Sequence, residues 1–405
     1  MLRISTRSST RKYVGVLCAV LLGGFVLLKE LDLVASAHLN YAVIQLVHNN
    51  LQISTSQAVL SFLLIGMRYN PRDTRLIRNA GFIYLRRGDM PLALEMFDRG
   101  LRLNPTDLLL HFYNGNALYQ TGRDQKAITE WSQANAGRYF YNQGKSLAGK
   151  GLLREAISSY EISSKLEPDF GGTYTALGDL YIAEGRKLEA IEMYQTALSK
   201  EGLNSLEKTL IQARVVYYLG DISGSLRLYR LLVAQTPPCI PQNSKQFQET
   251  AGLRSEALRM IGVIEYWNVG NQVAGRQALR EAVECQPDYV WNYIHLGDTY
   301  RNQQRYHESA YWYEKAAAAI PHSEVPYLYL GINAANQGLF SAALSYLFAA
   351  QEINADNAEV WYWIGLVYWD MGNLPLAELY LKHALQIAPR SEYSQALREV
   401  ERLKK

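Results

Sequence analysis

The chain has 405 residues, with 41 lysines and arginines against 38 aspartates and glutamates, a formal net charge of +3. The first 37 residues hold five basic and two acidic side chains, so the excess lies there and the rest of the chain is neutral, without the electrostatic footprint of a nucleic-acid binder. Three cysteines, Cys18, Cys239 and Cys285, are too few for a disulfide framework; a Cys239–Cys285 bridge is conceivable in an oxidising compartment but is not the expected state.

Arg3, Arg7, Arg11 and Lys12 precede an uncharged apolar run over 13–28, which is followed by Lys29, Glu30 and Asp32. A run apolar on every side has no face to show water. Although shorter than the ~20 residues a spanning helix wants, it can be lengthened by Lys12 and Lys29 snorkelling outward. The expected elements are a cytoplasmic tail at 1–12 and a transmembrane signal-anchor helix at 13–32. The basic excess before the run keeps the N-terminus cytoplasmic and sends the rest of the chain to the far side. Ala35-Ser36-Ala37 resembles a signal-peptidase site and leaves an alternative, secretion after cleavage near Ala37.

After the apolar run the chain repeats. Gly81, Gly115, Gly144, Gly178, Gly262, Gly297, Gly331 and Gly365 recur in one pattern, mostly 34 residues apart. The clearest copy, 174–197, sets Tyr174, Leu177, Gly178, Tyr181, Gly185, Ala190, Tyr194 and Ala197 in order; the last sets Trp361, Ile364, Gly365, Tyr368, Gly372, Ala377, Leu381, Ala384 and Pro389. Large residues at spacings of three and four share one helix face. Small residues at the Gly178, Ala190 and Ala197 positions let backbones approach, and a left-handed residue at Gly185 ends the first of two helices. No such hairpin buries its face alone, so neighbours must stack.

This pattern resembles the tetratricopeptide repeat. The resemblance implies an all-α fold, a right-handed superhelical solenoid of stacked helix-turn-helix units, here preceded by one N-terminal transmembrane helix. A degenerate unit is expected at 38–73, with Val59 and Pro71 in place but Val47 at the glycine position. Five repeats follow over 74–239 (74–107, 108–136, 137–170, 171–205 and 206–239), then an inserted loop at 240–254. Four more repeats occupy 255–391 (255–289, 290–323, 324–357 and 358–391), and a capping helix closes the chain at 392–405. Repeat 2 is short, and its connector is expected to have lost five residues and its proline. Repeat 5 has Ala213 in place of the glycine. The insertion is polar and proline-bearing, a surface loop with a short helical piece or a joint between sub-arrays. In the capping helix Leu397, Val400 and Leu403 are expected to turn inward.

Chemistry is hard to find. Residues 144–151 nearly spell a phosphate-binding loop, but Gly151 stands where a hydroxyl should hold magnesium, no strand precedes it, and the repeat explains its glycines. The histidines form no metal-binding cluster, and His295 and His383 read as helix-surface residues. No nucleophile-elbow motif occurs. No cofactor, metal or nucleic acid is expected, and the chain does not read as an enzyme.

In proteins of the resembled family the first helices line a concave groove. By register the groove here would be lined by Phe112, Asn116, Tyr119, Tyr141, Lys145, Arg214, Tyr217, Arg259, Tyr266, Asp298, Arg301, Tyr362 and Trp369, with Ile294, Leu328, Ile332 and Leu366 on the same face and able simply to pack between repeats. The mixture suits a protein or peptide segment. The chaperone-tail clamp of some relatives is not reproduced: Phe112 replaces its lysine, and Gly172 and Ala176 replace its cationic pair. The expected function is a non-catalytic, membrane-anchored scaffold for protein interaction or complex assembly in a bacterial cell envelope. The alternatives are an accessory subunit of envelope polysaccharide or glycoprotein synthesis and, behind that, an enzyme with an unrecognised site.

Overall fold

The computed structural model describes residues 53–239 and 245–404. The expected tail, the anchor at 13–32 and the first part of the degenerate repeat lie outside the described residues. No helix among the described residues is long and apolar enough to cross a membrane. Those residues form an all-α helical repeat solenoid of twenty helices, whose only extended pairing is an isolated bridge between Phe170 and Glu201. They fall into two compact units, one running to Asn142 with Lys165–Pro168 and the other taking Gln143–Ser164 and everything from Asp169 on.

The first unit contains α1 (Ile53–Tyr69), α2 (Thr74–Arg86), α3 (Met90–Leu103), α4 (Leu108–Gln120), α5 (Asp124–Gln133) and the first half of α6 (Gly137–Ala148). Aspartates start the helices: Asp107 accepts from the Leu109 and Leu110 amides at 3.0 and 3.1 Å, filling donors that a helix start leaves open. The recurring glycine is where the two helices of a hairpin touch. A Cβ on Gly81 would lie 2.6 Å from the Phe97 ring, and one on Gly115 would lie 2.5 Å from Trp131. The missing residues of repeat 2 come mostly from its second helix and not, as expected, from the connector. α5 has 10 residues where α3 has 14. Asn135 takes a left-handed φ of 51° and the Ala136 amide donates back to the Trp131 carbonyl at 3.0 Å, a cap that stops the helix a turn early.

The second unit begins within α6 and continues through α7 (Leu153–Leu166), α8 (Gly171–Ala183), α9 (Lys187–Leu198), α10 (Ser205–Leu219), α11 (Ile222–Gln235), α12 (Lys245–Val263), α13 (Gln272–Cys285) and α14 (Val290–Arg301). It ends with α15 (Tyr306–Ala319), α16 (Val325–Ala335), α17 (Phe340–Ile353), α18 (Ala358–Asp370), α19 (Leu374–Ile387) and α20 (Ser391–Leu403). The glycine contact recurs sixteen residues on, from Gly178 to Tyr194 (2.5 Å), Gly297 to Tyr313 (2.4 Å), Gly331 to Leu347 (2.6 Å) and Gly365 to Leu381 (2.8 Å). In repeat 6 the partner of Gly262 is Leu279, one residue later, at 2.5 Å. The extra residue is absorbed by a π turn, Ile264–Val269, that closes α12.

Of the expected insertion, 240–244 lie outside the described residues, and 245–254 is helix throughout rather than a loop carrying a short helical piece. That helix runs without a break into the first helix of repeat 6. It is also fastened. Arg254 donates to the Val233 and Thr236 carbonyls at 2.6 and 2.8 Å, a cation on the open end of α11. Cys239 and Cys285 form a disulfide, with Cα atoms 4.9 Å apart, against the expectation of free thiols. Val233, Leu258 and Ala282 pack around it, and this apolar contact brings the two cysteines together. Repeats 5 and 6 therefore share one core, which includes Leu210, Tyr229, Ala257 and Ile264. At the C-terminus α20 buries Tyr393, Ala396 and Val400, with Leu397 packed beside them; Leu403, expected inward, is exposed at the last turn.

Candidate functional site

The residue after the close-approach glycine faces away from the second helix backbone but within reach of its aromatic side chain. One hydrogen bond recurs there. The Trp131 indole donates to Asn116 Oδ1 at 3.0 Å, the Tyr194 hydroxyl to Asp179 Oδ1 at 2.6 Å, and the Tyr313 hydroxyl to Asp298 Oδ1 at 2.7 Å. Each bond fixes a polar group on the first-helix face and leaves lone pairs for a further partner.

In the second unit that face carries a row of charges spanning repeats 4 to 7. Arg214 donates to Asp179 at 2.7 Å and, through Nε and Nη2, to the two oxygens of Glu256 at 2.8 and 2.7 Å. Such a paired fork holds both side chains in one geometry. Arg259 is served less well. Its nearest carboxylate is the same Glu256 at 4.0 Å, its Nη1 lies 3.3 Å from His295 Nε2, and its buried Nε has no partner among the described residues. The Tyr194 ring lies 5.6 Å from the Arg214 guanidinium and the Tyr289 ring 5.9 Å from that of Arg259. Further along, Arg301 donates to Asp298 at 2.7 Å and lies 5.6 Å from the Tyr329 ring.

Removal from water raises the Asp179 carboxyl above its usual range, with Arg214 pulling the other way. Burial opposes the charge of Glu256 too, but Arg214 and Arg259 together hold it below the usual range. His295 is pushed down to about 3, by burial first and then by Arg259. It is therefore neutral, and its Nε2 accepts from the guanidinium. The result is a row fixed by its own ion pairs and holding one guanidinium, Arg259, whose carboxylate is already committed to Arg214.

Of the groove residues expected from the sequence, Arg214, Arg259, Asp298 and Arg301 belong to this row, and half-buried Tyr217 stands beside it, edge-on to Tyr218 at 5.4 Å. Lys145 is exposed on α6. In the first unit Phe112 meets the exposed Tyr139 edge-on at 4.8 Å, Asn116 is held by Trp131, Tyr119 is exposed 5.4 Å from Trp131, and Tyr141 is half-buried.

The assignments of Tyr266, Tyr362, Trp369 and His295 need correction. Tyr266 is buried and donates its hydroxyl to the Thr299 carbonyl at 2.7 Å, because the π turn swings it inward and presents Trp267 instead. Tyr362 stacks on Tyr393 at 4.5 Å, and both Tyr362 and Trp369 pack under the capping helix with Leu366, so that end of the face is covered. Ile294, Leu328 and Ile332 are buried core. His295, read as a surface residue, is half-buried within the row.

Asp179, Glu256 and His295 were missed. Asp179 carried a signal, since it follows its glycine and precedes a tyrosine by fifteen residues as Asp298 does. The π turn had one as well, because Gly270 follows Gly262 by eight residues where Gly185 follows Gly178 by seven. Glu256 and His295 join only through contacts between repeats, which no local spacing encodes.

Among curated proteins, one stretch is 29% identical over 127 residues to the human antiviral innate immune response effector IFIT1, covering 31% of this chain and 25% of that protein. The Macaca fascicularis protein of the same name is 27% identical over 146 residues, 36% of this chain and 28% of that one. The small glutamine-rich tetratricopeptide repeat-containing protein 2 of Mycosarcoma maydis is 32% identical over 74 residues, 18% of this chain and 21% of that protein. The matches thus span about a quarter of the length of these relatives. Among solved structures, a tetratricopeptide repeat protein from Parabacteroides merdae aligns with a TM-score of 0.43 at 18% identity, over 66% of this chain and 99% of that one. A thermophilic protein of the same repeat class from Thermus thermophilus gives 0.38 at 20% identity, over 48% and 99%. Family profiles described as tetratricopeptide repeat match residues 80–139, 172–199, 292–322 and 358–391. Falling in register on repeats 1, 2, 4, 7 and 9, they show that these stretches of the chain are tetratricopeptide repeats.

Proposed function

We propose that the chain is a non-catalytic scaffold, held at the membrane of a bacterial cell envelope, whose first-helix face in repeats 4 to 7 grips a segment of another protein. The observation that carries this reading is the row from Asp179 to His295. Charged side chains held this rigidly across successive repeats lose little freedom when a partner arrives. Aromatic rings and arginine beside them are the side chains that dominate protein interfaces. Arg259, whose nearest carboxylate among the described residues is already held by Arg214, is the anchor within that row.

The membrane part rests on the apolar run at 13–28 with its basic flank. The Cys239–Cys285 disulfide supports an extracytoplasmic array, since such bonds persist where thiols are oxidised. Anchoring would raise the local concentration of whatever the array holds. The test is recovery of partners from solubilised membranes with the unmodified chain, Arg259→Ala, Tyr217→Ala and, as control, Leu188→Ala at an 80% exposed position on α9. Loss with the first two and retention with the third is expected. Equal recovery by all four would show that the binding face is misplaced.

A further inference from the structure

A second site, distinct from the charged row, lies where the end of α14 and the start of α15 meet, with Arg276 and Arg280 of α13 set against its Tyr300. A cleft of about 410 Å³ is lined by Tyr300, Arg305, His307, Glu308, Tyr311 and Trp312. Tyr311 is 51% exposed, and Trp312 meets it at 83° with ring centres 5.2 Å apart, so the two rings form a corner open to solvent. Tyr300 is buried beneath. Arg305 and Arg276 lie 4.8 and 5.5 Å from its ring, and Arg280 donates to its hydroxyl at 2.8 Å. Arg305 is spoken for by Glu308 at 2.7 Å. Arg276 donates to Gln303 at 3.2 Å, and neither it nor Arg280 has a carboxylate partner among the described residues.

Repeat 4 shows which parts of this are simply the repeat. There Arg186 lies 4.1 Å from the Tyr181 ring and pairs with Glu189 at 3.1 Å, reproducing Tyr300, Arg305 and Glu308. But Glu192 and Met193 stand at the positions of Tyr311 and Trp312, and Glu161, which faces Tyr181, stands at that of Arg280. The aromatic corner of repeat 7 and the two guanidiniums of repeat 6, which have no carboxylate partner among the described residues, therefore set this place apart from its counterpart at repeat 4, which is acidic and aliphatic.

An exposed ring set at right angles to a half-buried one suits a ligand with a flat, weakly positive C–H face, which a pyranose has. A guanidinium without a carboxylate suits a ligand that brings one. A concave lining of rings with a few polar groups is the usual build of a small-molecule site. We infer that this cleft binds a carboxylate-bearing sugar, the pyranose stacked on Tyr311 and Trp312 and its carboxylate turned to Arg280. This goes beyond the protein-binding reading and does not depend on it.

The test is calorimetric titration of the full-length chain in detergent with trigalacturonate, polygalacturonate, maltotriose and triglutamate. Trigalacturonate is expected to bind, more weakly as salt is raised. Tyr311→Ala and Arg280→Gln should each weaken it about tenfold, equivalent to about 1.4 kcal/mol, and Leu188→Ala should not. Both substituted side chains are exposed, so the fold should be kept, and the circular-dichroism spectrum of each variant is compared with that of the unmodified chain. Polygalacturonate binding more tightly per site than the trimer would assign the cleft to a polysaccharide, and equal affinity would assign it to a short glycan. Maltotriose binding as well as trigalacturonate would remove the acid from the inference, and triglutamate doing so would remove the sugar. Either result, or trigalacturonate binding that Tyr311→Ala leaves unchanged, or none at 10 mM (roughly −3 kcal/mol), overturns it.

Discussion

Tyr313 is fully buried against Gly297 and bonded to Asp298, so one side chain serves both the stack and the face above it. A side chain at position 297 would begin 2.4 Å from the Tyr313 ring. Gly297→Leu should therefore cost about 1–3 kcal/mol or more, while Lys187→Leu on the exposed start of α9 should cost under about 0.5. Thermal unfolding decides it, and equal midpoints would contradict the register. Tyr313→Phe keeps the packing and removes only the hydroxyl; a bond to a carboxylate in this setting is worth about 1.5–3 kcal/mol.

His295 makes a prediction in pH. Its folded value of about 3 lies below the ordinary 6.5, so between these the unfolded chain binds a proton that the folded chain refuses. Its contribution to stability is complete above pH 6.5 and is lost as the pH falls toward 3. Asp179 and Asp298, raised by burial, act in the opposite sense, but they cancel when His295→Gln is compared with the unmodified chain. From pH 7.5 to 4.5 (a window set by the ordinary histidine value of about 6.5) the unmodified chain should lose more in melting temperature than the variant. A constant difference would mean that His295 is not buried beside Arg259.

Among the elements, α12 departs furthest from the repeat. It is long because the insertion feeds it and irregular because one residue too many must fit between Gly262 and Leu279. The π turn accommodates that residue without moving the contact, at the cost of turning Tyr266 inward. α12 is tied to the end of α11 by Arg254, and repeat 5 is tied to α13 by the Cys239–Cys285 bridge, whose sulfurs belong to residues 46 apart in sequence. Closing so long a loop restricts the unfolded chain, and Cys239→Ser should cost about 2–4 kcal/mol. The unmodified chain should lose a similar amount on reduction and the variant nothing. A reductant that lowers both melting temperatures alike would show that the bridge is not the cause.

At the scale of the whole molecule, a stack of hairpins is stable through its neighbours, so each unit depends on its interfaces more than on any single repeat. The proposed topology sends the array across the membrane. A C-terminal tag should then be cut by protease added to cells stripped of any outer barrier, and Cys239 and Cys285 should resist thiol-blocking reagents until reduced. A protected tag would reverse the orientation.

The all-α repeat class of the described residues and the register of their hairpins could be read along the chain, because both follow from one local rule. A glycine sets two helices in contact sixteen residues apart, and that rule is written into the spacing of Gly178 and Tyr194 or Gly297 and Tyr313. The shortening of repeat 2 and the extra residue of repeat 6 were visible as counts, but not how the backbone would absorb them. It took the packing of one repeat on the next to show that Asp179, Arg214, Glu256, Arg259 and His295 form one row, that Tyr266 and Tyr362 leave the open face, and that Cys239 reaches Cys285. These are contacts between residues a repeat or more apart. Their strength depends on the exclusion of water and on the angle at which helices meet, quantities that a spacing along the chain does not carry.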